Sequence, residues 1–354
     1  MRTPLLLALP GAAVVGLLAL PATTPPIRGV DGGLAPGSIA SLEAVDVHGT
    51  RQWLLMRGRD RTNPVLLFVH GGPGTPETAW LAHYNRALED DFVVVSWEQR
   101  GAGKSYAAGR ADPDGMTLEQ MIADTHAVTD HLKQRFGQDR IYLVGHSWGT
   151  LLAIHAAHRR PEDYHALVSI AQVSHAVREE AAIHAWVLEQ ARGDGNVRAI
   201  AELEALETPA DGRLTLDDLS VRLRWVNRYG GGVMHRPGAF RELAWIVARS
   251  RVYTTLEKAR YFRGEAFSLV HLYDELAAVD LFDEIPAIEV PIWFVHGRHD
   301  HQVPLSVARD YHDHLDAPHK RFVVFEDAAH SPLFEDPDRF HELLRTVRQV
   351  EVAR

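Results

Sequence analysis

Three residue types capable of acyl-transfer chemistry recur at the ends of apolar runs in this 354-residue chain: Ser147, Asp300 and His330. Ser147 is the centre of Gly145-His146-Ser147-Trp148-Gly149. A serine hydroxyl is a poor nucleophile until a base takes its proton, and the base needs a carboxylate to orient it. The run 141–144 before the motif reads as a short buried strand, and residues 151–157 after it read as a helix. Strand, Gly-x-Ser-x-Gly, helix describes a chain that turns so sharply that the serine takes strained backbone angles. Side chains at 145 and 149 would strike the neighbouring strand and helix, which is why both are glycine. The turn holds the Ser147 hydroxyl at the positive end of the following helix. The plain alternative is an ordinary glycine-bordered turn, and the flanking strand and helix weigh against it.

The base and its carboxylate belong on loops that follow later strands of the same sheet. Asp300 follows the strand-like run 291–295 across His296-Gly297-Arg298-His299. His330 follows the run 321–325 across Glu326-Asp327-Ala328-Ala329. The order Ser147, Asp300, His330 is that of the α/β-hydrolase arrangement. Glu326 and Asp327 are rival acids. His299 and His301 flank Asp300 and precede the last strand, so they read as surface or pocket residues rather than the base. The oxyanion formed in acyl transfer needs preorganised N–H donors. One is the amide of Trp148. The other belongs to the loop His70-Gly71-Gly72-Pro73-Gly74, whose glycines let backbone amides face a ligand.

The elements that hold these residues alternate. Residues 42–47 and 52–56 read as an antiparallel pair turning at His48-Gly49. Runs 65–69, 92–97, 141–144 and 166–170 are apolar throughout, as strands buried on both faces are. Residues 76–88 form a helix, and Thr117-Leu118-Glu119-Gln120 opens a longer one that Gly137 ends near Phe136. The expected fold is α/β, a mostly parallel sheet with helices on both faces and an inserted helical cap. Residues 41–171 and 290–354 form the core, with 333–352 as a closing helical stretch. Residues 172–289 form the cap, too long for a loop, with Gly230-Gly231-Gly232 as a flexible point.

Composition narrows the rest. Apolar residues are 46% and charged residues 24%, with a net charge of −10. That balance builds a globular core and argues against nucleic acid as a partner. Cysteine is absent, which excludes disulfides, thiolate metal sites and a cysteine nucleophile. The 21 histidines are scattered, and no His-Glu-x-x-His occurs. Arg2 and the apolar run 5–20 give residues 1–26 the look of an export segment, cleaved or kept as a membrane anchor. The run is short of the ~20 residues that span a bilayer. On that reading residues 27–40 are a linker and the catalytic body lies outside the cytoplasm.

His70-Gly71-Gly72-Pro73-Gly74, Glu98-Gln99-Arg100-Gly101-Ala102-Gly103-Lys104-Ser105 and the motif around Ser147 together resemble the proline iminopeptidase family of α/β-hydrolases. Gly297-Arg298-His299-Asp300 and Ala329-His330-Ser331-Pro332 extend the resemblance. It covers roughly residues 42–171 and 290–340. It implies Ser147 as nucleophile, Asp300 as acid, His330 as base, and Gly72 and Trp148 as oxyanion donors. It also implies removal of an N-terminal residue, often proline, from short peptides with no metal or other cofactor. The chain departs from the family where Glu98 replaces Asp and in the cap. There the acidic residue before the Tyr-Phe pair, which holds the substrate amine, is missing from Lys258-Ala259-Arg260-Tyr261-Phe262. Glu257 and Glu265 are the candidate replacements beside Tyr261 and Phe262. The expected activity is a serine hydrolase, an aminopeptidase on short peptides. The alternatives are an esterase, lactonase or amidase on small apolar substrates, and a non-catalytic ligand-binding protein of the same fold.

Overall fold

The structure is a computed structural model that describes residues 21–106, 111–206 and 213–352. β1 (Ile39–Val47) and β2 (Thr50–Gly58) form the expected hairpin. Its turn residues His48 and Gly49 both have positive φ, 47° and 75°, the backbone that a two-residue hairpin requires. β3 (Val65–Val69), β4 (Val93–Glu98), β5 (Ile141–His146), β6 (Tyr164–Ile170), β7 (Ile292–Gly297) and β8 (Lys320–Phe325) follow. The eight strands lie in the order β1-β2-β4-β3-β5-β6-β7-β8. β2 pairs antiparallel with β4, and every pairing from β4 to β8 is parallel.

Every residue of β3, β4 and β5 is buried, which explains their unbroken apolar sequence. Alternate residues serve opposite faces of the sheet. Leu67 and Val69 join one core cluster, and Leu66 and Phe68 join the other. α1 (Thr78–Tyr84) is shorter than the expected 76–88, and a 3-10 turn, Arg86–Asp90, takes over. α2 (Leu118–Phe136) starts where expected. The Thr117 hydroxyl accepts the Gln120 N–H at 3.1 Å, and Gly137 ends the helix at φ 63°. α3 (Trp148–Arg159) follows β5.

Between β6 and β7 come α4 (Ala176–Gly193), α5 (Val197–Glu204), α6 (Leu216–Arg228), α7 (Ala239–Arg249), α8 (Thr255–Leu276) and the short α9 (Leu281–Glu284). These helices carry an apolar cluster of their own around Val187, Leu203 and Val226. We propose that they form the expected cap. The Gly230-Gly231-Gly232 segment within it is packed rather than free. The Gly231 and Gly232 carbonyls accept the N–H groups of His301 at 2.9 Å and His330 at 3.1 Å. A Cβ on Gly231 would lie 2.6 Å from the Trp186 ring.

α10 (Leu305–His314), α11 (Pro332–Glu335) and α12 (Pro337–Val352) complete the chain. The expected closing helix 333–352 is thus two helices. Pro337 lacks an N–H, and the residue before a proline is pushed out of helical angles. Asp336 sits at φ −134°, ψ 72°.

The expectation of export and membrane attachment is set aside. Among the described residues no helix is long and apolar enough to cross a membrane. The apolar run 5–20 that carried the expectation lies outside the described residues. Residues 21–26, read as the end of that segment, are bound to the body. Thr23 N–H donates to Arg251 O at 2.8 Å, and the Arg57 guanidinium donates to Pro25 O at 2.7 Å. A tail held this way is not a free spacer between a bilayer and a domain.

Candidate active site

Ser147 stands between the last residue of β5 and the first of α3, with φ 52° and ψ −123°. A non-glycine residue at positive φ carries about 1–3 kcal/mol of strain and persists only where its surroundings fix it. Here the Ser147 N–H donates to Ile170 O at 2.9 Å, and the Thr150 hydroxyl and amide donate to Ser147 O at 2.6 and 2.8 Å. A Cβ on Gly145 would lie 2.6 Å from Gly149 O. One on Gly149 would lie 2.7 Å from His70 O and closer still to Val69 O. Both glycines of the motif are therefore required by backbone-to-backbone approach.

Asp300, wholly buried, lies on the loop after β7. Its Oδ1 accepts the Gln302 and Val303 N–H groups at 3.0 and 2.9 Å. Its Oδ2 lies 3.0 Å from His330 Nδ1 and 3.3 Å from His296 Nε2. Burial pushes the Asp300 carboxyl up, but the neighbouring His330 and the bonds from His296 and His330 outweigh it. The group is held well below the ordinary carboxylate range. An ionised Asp300 can only accept, so His330 carries a proton on Nδ1 and leaves Nε2 as the available base. A Cβ on Gly297 would collide with the Ala328 and Ala329 carbonyls, so this glycine lets the acid loop touch the base loop. The rival acid Glu326 is paired instead with Arg298 at 2.8 and 2.9 Å. His299 stacks on His235 and His301 on Trp186, each with centroids 3.8 Å apart.

The loop after β3 brings Gly71, Gly72 and Pro73 to the same cavity as Ser147, Trp148 and His330. Gly72 has φ 118°, and a Cβ there would lie 2.5 Å from the Gly74 nitrogen. Buried bonds pin this loop. Gln99 donates to His70 O at 2.7 Å through its amide and to His70 Nε2 at 3.1 Å through its backbone N–H. The Trp148 indole donates to Gln99 Oε1 at 3.1 Å. Burial pulls the His70 imidazole down to about 4, so it is neutral in this network.

The cavity measures about 280 Å³ and extends from Ser147 into the helices between β6 and β7. Its far walls include Ile183, Leu219, Val233 and Leu243. Glu77, Glu179, Glu180 and Glu265 face it, and Arg222 is the single Lys or Arg among the described lining residues. Arg222 pairs with Glu180, and both are buried. Burial raises Glu179 to about 7 despite bonds from the Ser174 and His175 N–H groups. Burial likewise raises Glu265, opposed by a bond with Thr75.

Of the four residues expected to hold substrate, Glu265, Tyr261 and Phe262 line the cavity and Glu257 does not. Tyr261 is buried with its hydroxyl bonded to Pro76 O, so it presents its ring. Phe262 is half exposed at the edge. Glu257 belongs to the first turn of α8. It forms a capping box with Thr254, and both its oxygens accept from Lys104 Nζ at 2.8 Å. The two basic residues just before Tyr261 stay outside the cavity. Neither Lys258 nor Arg260 lines the cavity, and Lys258 Nζ donates to Ala248 O at 2.8 Å. Glu77 and His146, paired at 2.7 Å beneath the Ser147 turn, drew no attention in the sequence. Among the described residues no three His, Asp or Glu side chains are placed to hold a metal ion.

Over residues 64–337 the sequence matches the family described as alpha/beta hydrolase fold. The probable aminopeptidase YbaC of Bacillus subtilis (strain 168) is 34% identical over 307 residues, 87% of this chain and 96% of that protein. The crystal structure of a Mycobacterium smegmatis proline iminopeptidase superposes with a TM-score of 0.60 at 21% identity, covering 88% of this chain and 99% of that one. A thermophilic esterase from Thermogutta terrifontis superposes with a TM-score of 0.58 at 21% identity, covering 88% and 99%.

Proposed function

The chain belongs to the alpha/beta hydrolase fold family, and from that premise we propose that it is a serine hydrolase acting as an aminopeptidase on short peptides. The observation that carries the chemistry is the conjunction at one cavity. Ser147 is strained between two obligatory glycines, and a His330 bonded to a buried Asp300 opens onto the same space. In this reading Ser147 Oγ attacks the scissile carbonyl while His330 Nε2 takes its proton. The Gly72 and Trp148 amides bind the oxyanion. Collapse expels the amine leaving group, protonated by His330, and leaves an acyl-serine. Water, deprotonated by His330, then releases the acid and restores Ser147.

The preference for a free amine rests on Glu265. From α8 it faces the cavity, which Lys258, Arg260 and Arg263 do not line, and a buried carboxylate gains strongly from a cationic partner. The 34%-identical relative named as a probable aminopeptidase supports the same assignment. The second reading, an esterase or amidase on small apolar substrates, draws on the apolar far walls of the cavity. A non-catalytic binding role is the least economical account of so complete a site.

Two measurements test this. A fluorophosphonate probe should label the protein and fail to label Ser147→Ala; a folded wild-type protein that does not label would remove the hydrolase assignment. A proline arylamide with a free amine should be cleaved in strong preference to its N-acylated twin. Cleavage of a short-chain aryl ester alone would leave the hydrolase and remove the aminopeptidase.

A further inference from the structure

We propose that Glu77 and His146 are a positioning pair that holds one shared proton and through it fixes the main chain of His330. The inference rests on the reading of His330 as the base. His146 directly precedes Ser147 and is buried. Its Nδ1 lies 2.7 Å from Glu77 Oε1 and its Nε2 lies 2.9 Å from the His330 carbonyl oxygen. A carboxylate and a carbonyl oxygen only accept. A neutral imidazole has one N–H, so one of these two short contacts would set lone pair against lone pair. One more proton removes the conflict, with imidazolium donating at both ends. A buried imidazolium needs an anion beside it, and Glu77 is that anion.

The pair ties together three segments. Glu77 Oε2 accepts the Gly71 N–H at 3.4 Å, in the oxyanion loop. His146 belongs to the nucleophile turn. The His330 peptide is held from both sides, its N–H by Gly232 O at 3.1 Å and its carbonyl by His146. The surrounding groups do not compete for the proton. His70, at the end of β3, is neutral, with its own Nδ1 against Gly71 O at 2.8 Å. The His330 ring lies 5.0 Å from that of His146, with the ionised Asp300 behind it. The Phe334 ring, 6.4 Å away, meets His146 edge-on. Burial pulls the His146 imidazole down, but the Glu77 charge and the bonds to Glu77 and His330 O outweigh it and hold it above the ordinary value. The pair therefore keeps its proton to higher pH than a free imidazole would, and loses it as pH rises further. Nε2 then turns its lone pair to the His330 carbonyl, and the base loop is released. The alkaline limb of kcat belongs to this pair.

The test is the pH profile of aryl-ester hydrolysis by the full chain and three variants. Glu77→Ala and His146→Phe should lower kcat by about ten- to a hundredfold, the usual effect of a base misplaced by a fraction of an ångström, with KM within about twofold. Glu77→Gln restores the contacts without the extra proton, because its amide can donate to Nδ1 while Nε2–H donates to His330 O. It should return kcat at neutral pH to within about threefold of wild type and abolish the alkaline limb. Nitrogen-15 spectra of the histidines should show both His146 ring nitrogens protonated at neutral pH in wild type and one in Glu77→Gln. An unchanged alkaline limb in Glu77→Gln, or a single protonated nitrogen in wild type, overturns the inference even if the other variants fail to fold. Persistence of hydrolysis in His330→Ala would instead overturn the reading beneath it.

Discussion

Asp300→Asn tests the proposed base by forcing its tautomer. Asp300 Oδ1 accepts two backbone N–H groups, from Gln302 and Val303, at 3.0 and 2.9 Å. Turning the new NH2 group toward them would set donor against donor and lose two buried bonds, at about 1–3 kcal/mol each. Asparagine must therefore keep its oxygen there and point its NH2 at His330 Nδ1, 3.0 Å from the wild-type Oδ2. That group donates, so Nδ1 must accept, and the imidazole proton moves to Nε2. A base already protonated on Nε2 cannot take the serine proton. The loss of kcat should approach 10⁴-fold, the scale seen where a serine protease suffers this change, or about 5.5 kcal/mol at ~1.4 kcal/mol per decade. The assay is kcat for a short-chain aryl ester at neutral pH, with the rate of fluorophosphonate labelling beside it. Thermal unfolding serves as the control for folding. A folded variant within tenfold of wild type would refute the tautomer argument and with it the assignment of Asp300.

Glu265→Gln should reduce kcat/KM for the free-amine substrate by about ten- to a hundredfold, the worth of a charge-assisted bond, and leave its N-acylated twin unchanged. Because burial raises Glu265, wild-type preference for the amine should grow as pH rises through that elevated range, and the variant should lose the dependence. Equal effects on both substrates would remove Glu265 from amine recognition. Glu179→Gln addresses stability. A carboxyl raised to about 7 in the fold binds its proton more tightly folded than unfolded, so its contribution is fully present below the unfolded pKa, near 4.5, and is lost as pH rises through about 7. The variant should be more stable than wild type at pH 8 by up to ~3 kcal/mol, a Tm gain of a few degrees, with the gap closing by pH 5. A gap that is constant with pH would show that Glu179 is already ionised in the fold.

The motif around Ser147 was readable because each of its constraints is local. The buried strand, the turn and the helix follow one another, and both glycines answer to backbone within reach of the turn. The positions of Asp300 and His330 were readable from chain order, since each follows the end of its strand, and the two meet at 3.0 Å. Glu257 is near Tyr261 in sequence but is taken up by the start of its own helix and by Lys104. Thr254-x-x-Glu257 already carried a capping-box signature, and the box is formed. Glu265 lies one turn beyond Tyr261 on the face of α8 that meets the cavity. The Gly230-Gly231-Gly232 run was read as slack, whereas its glycines permit close approach to Trp186 and to the His301 and His330 amides. The Glu77–His146 contact joins residues far apart in sequence, and no local pattern announces it. The apolar run 5–20 shows the limit of composition, which cannot say how the residues that follow it pack.

The reacting end of the cavity and its far end come from different stretches of chain. Gly72, Ser147, Trp148 and His330 come from the sheet and its loops, whereas Ile183, Leu219, Arg222, Leu243 and Glu265 all lie between α4 and α8. On the proposed reading, the Gly231 and Gly232 carbonyls and the Tyr261 hydroxyl excepted, what is transformed and how it is transformed are written in separable portions of the gene. A mutational library confined to residues 176–276 and sparing Gly231, Gly232 and Tyr261 would explore new substrates while the proposed reacting atoms stay where they are. The same number of changes spread over the core would spend most of its members on turns such as Gly149, where even one added methyl has nowhere to go.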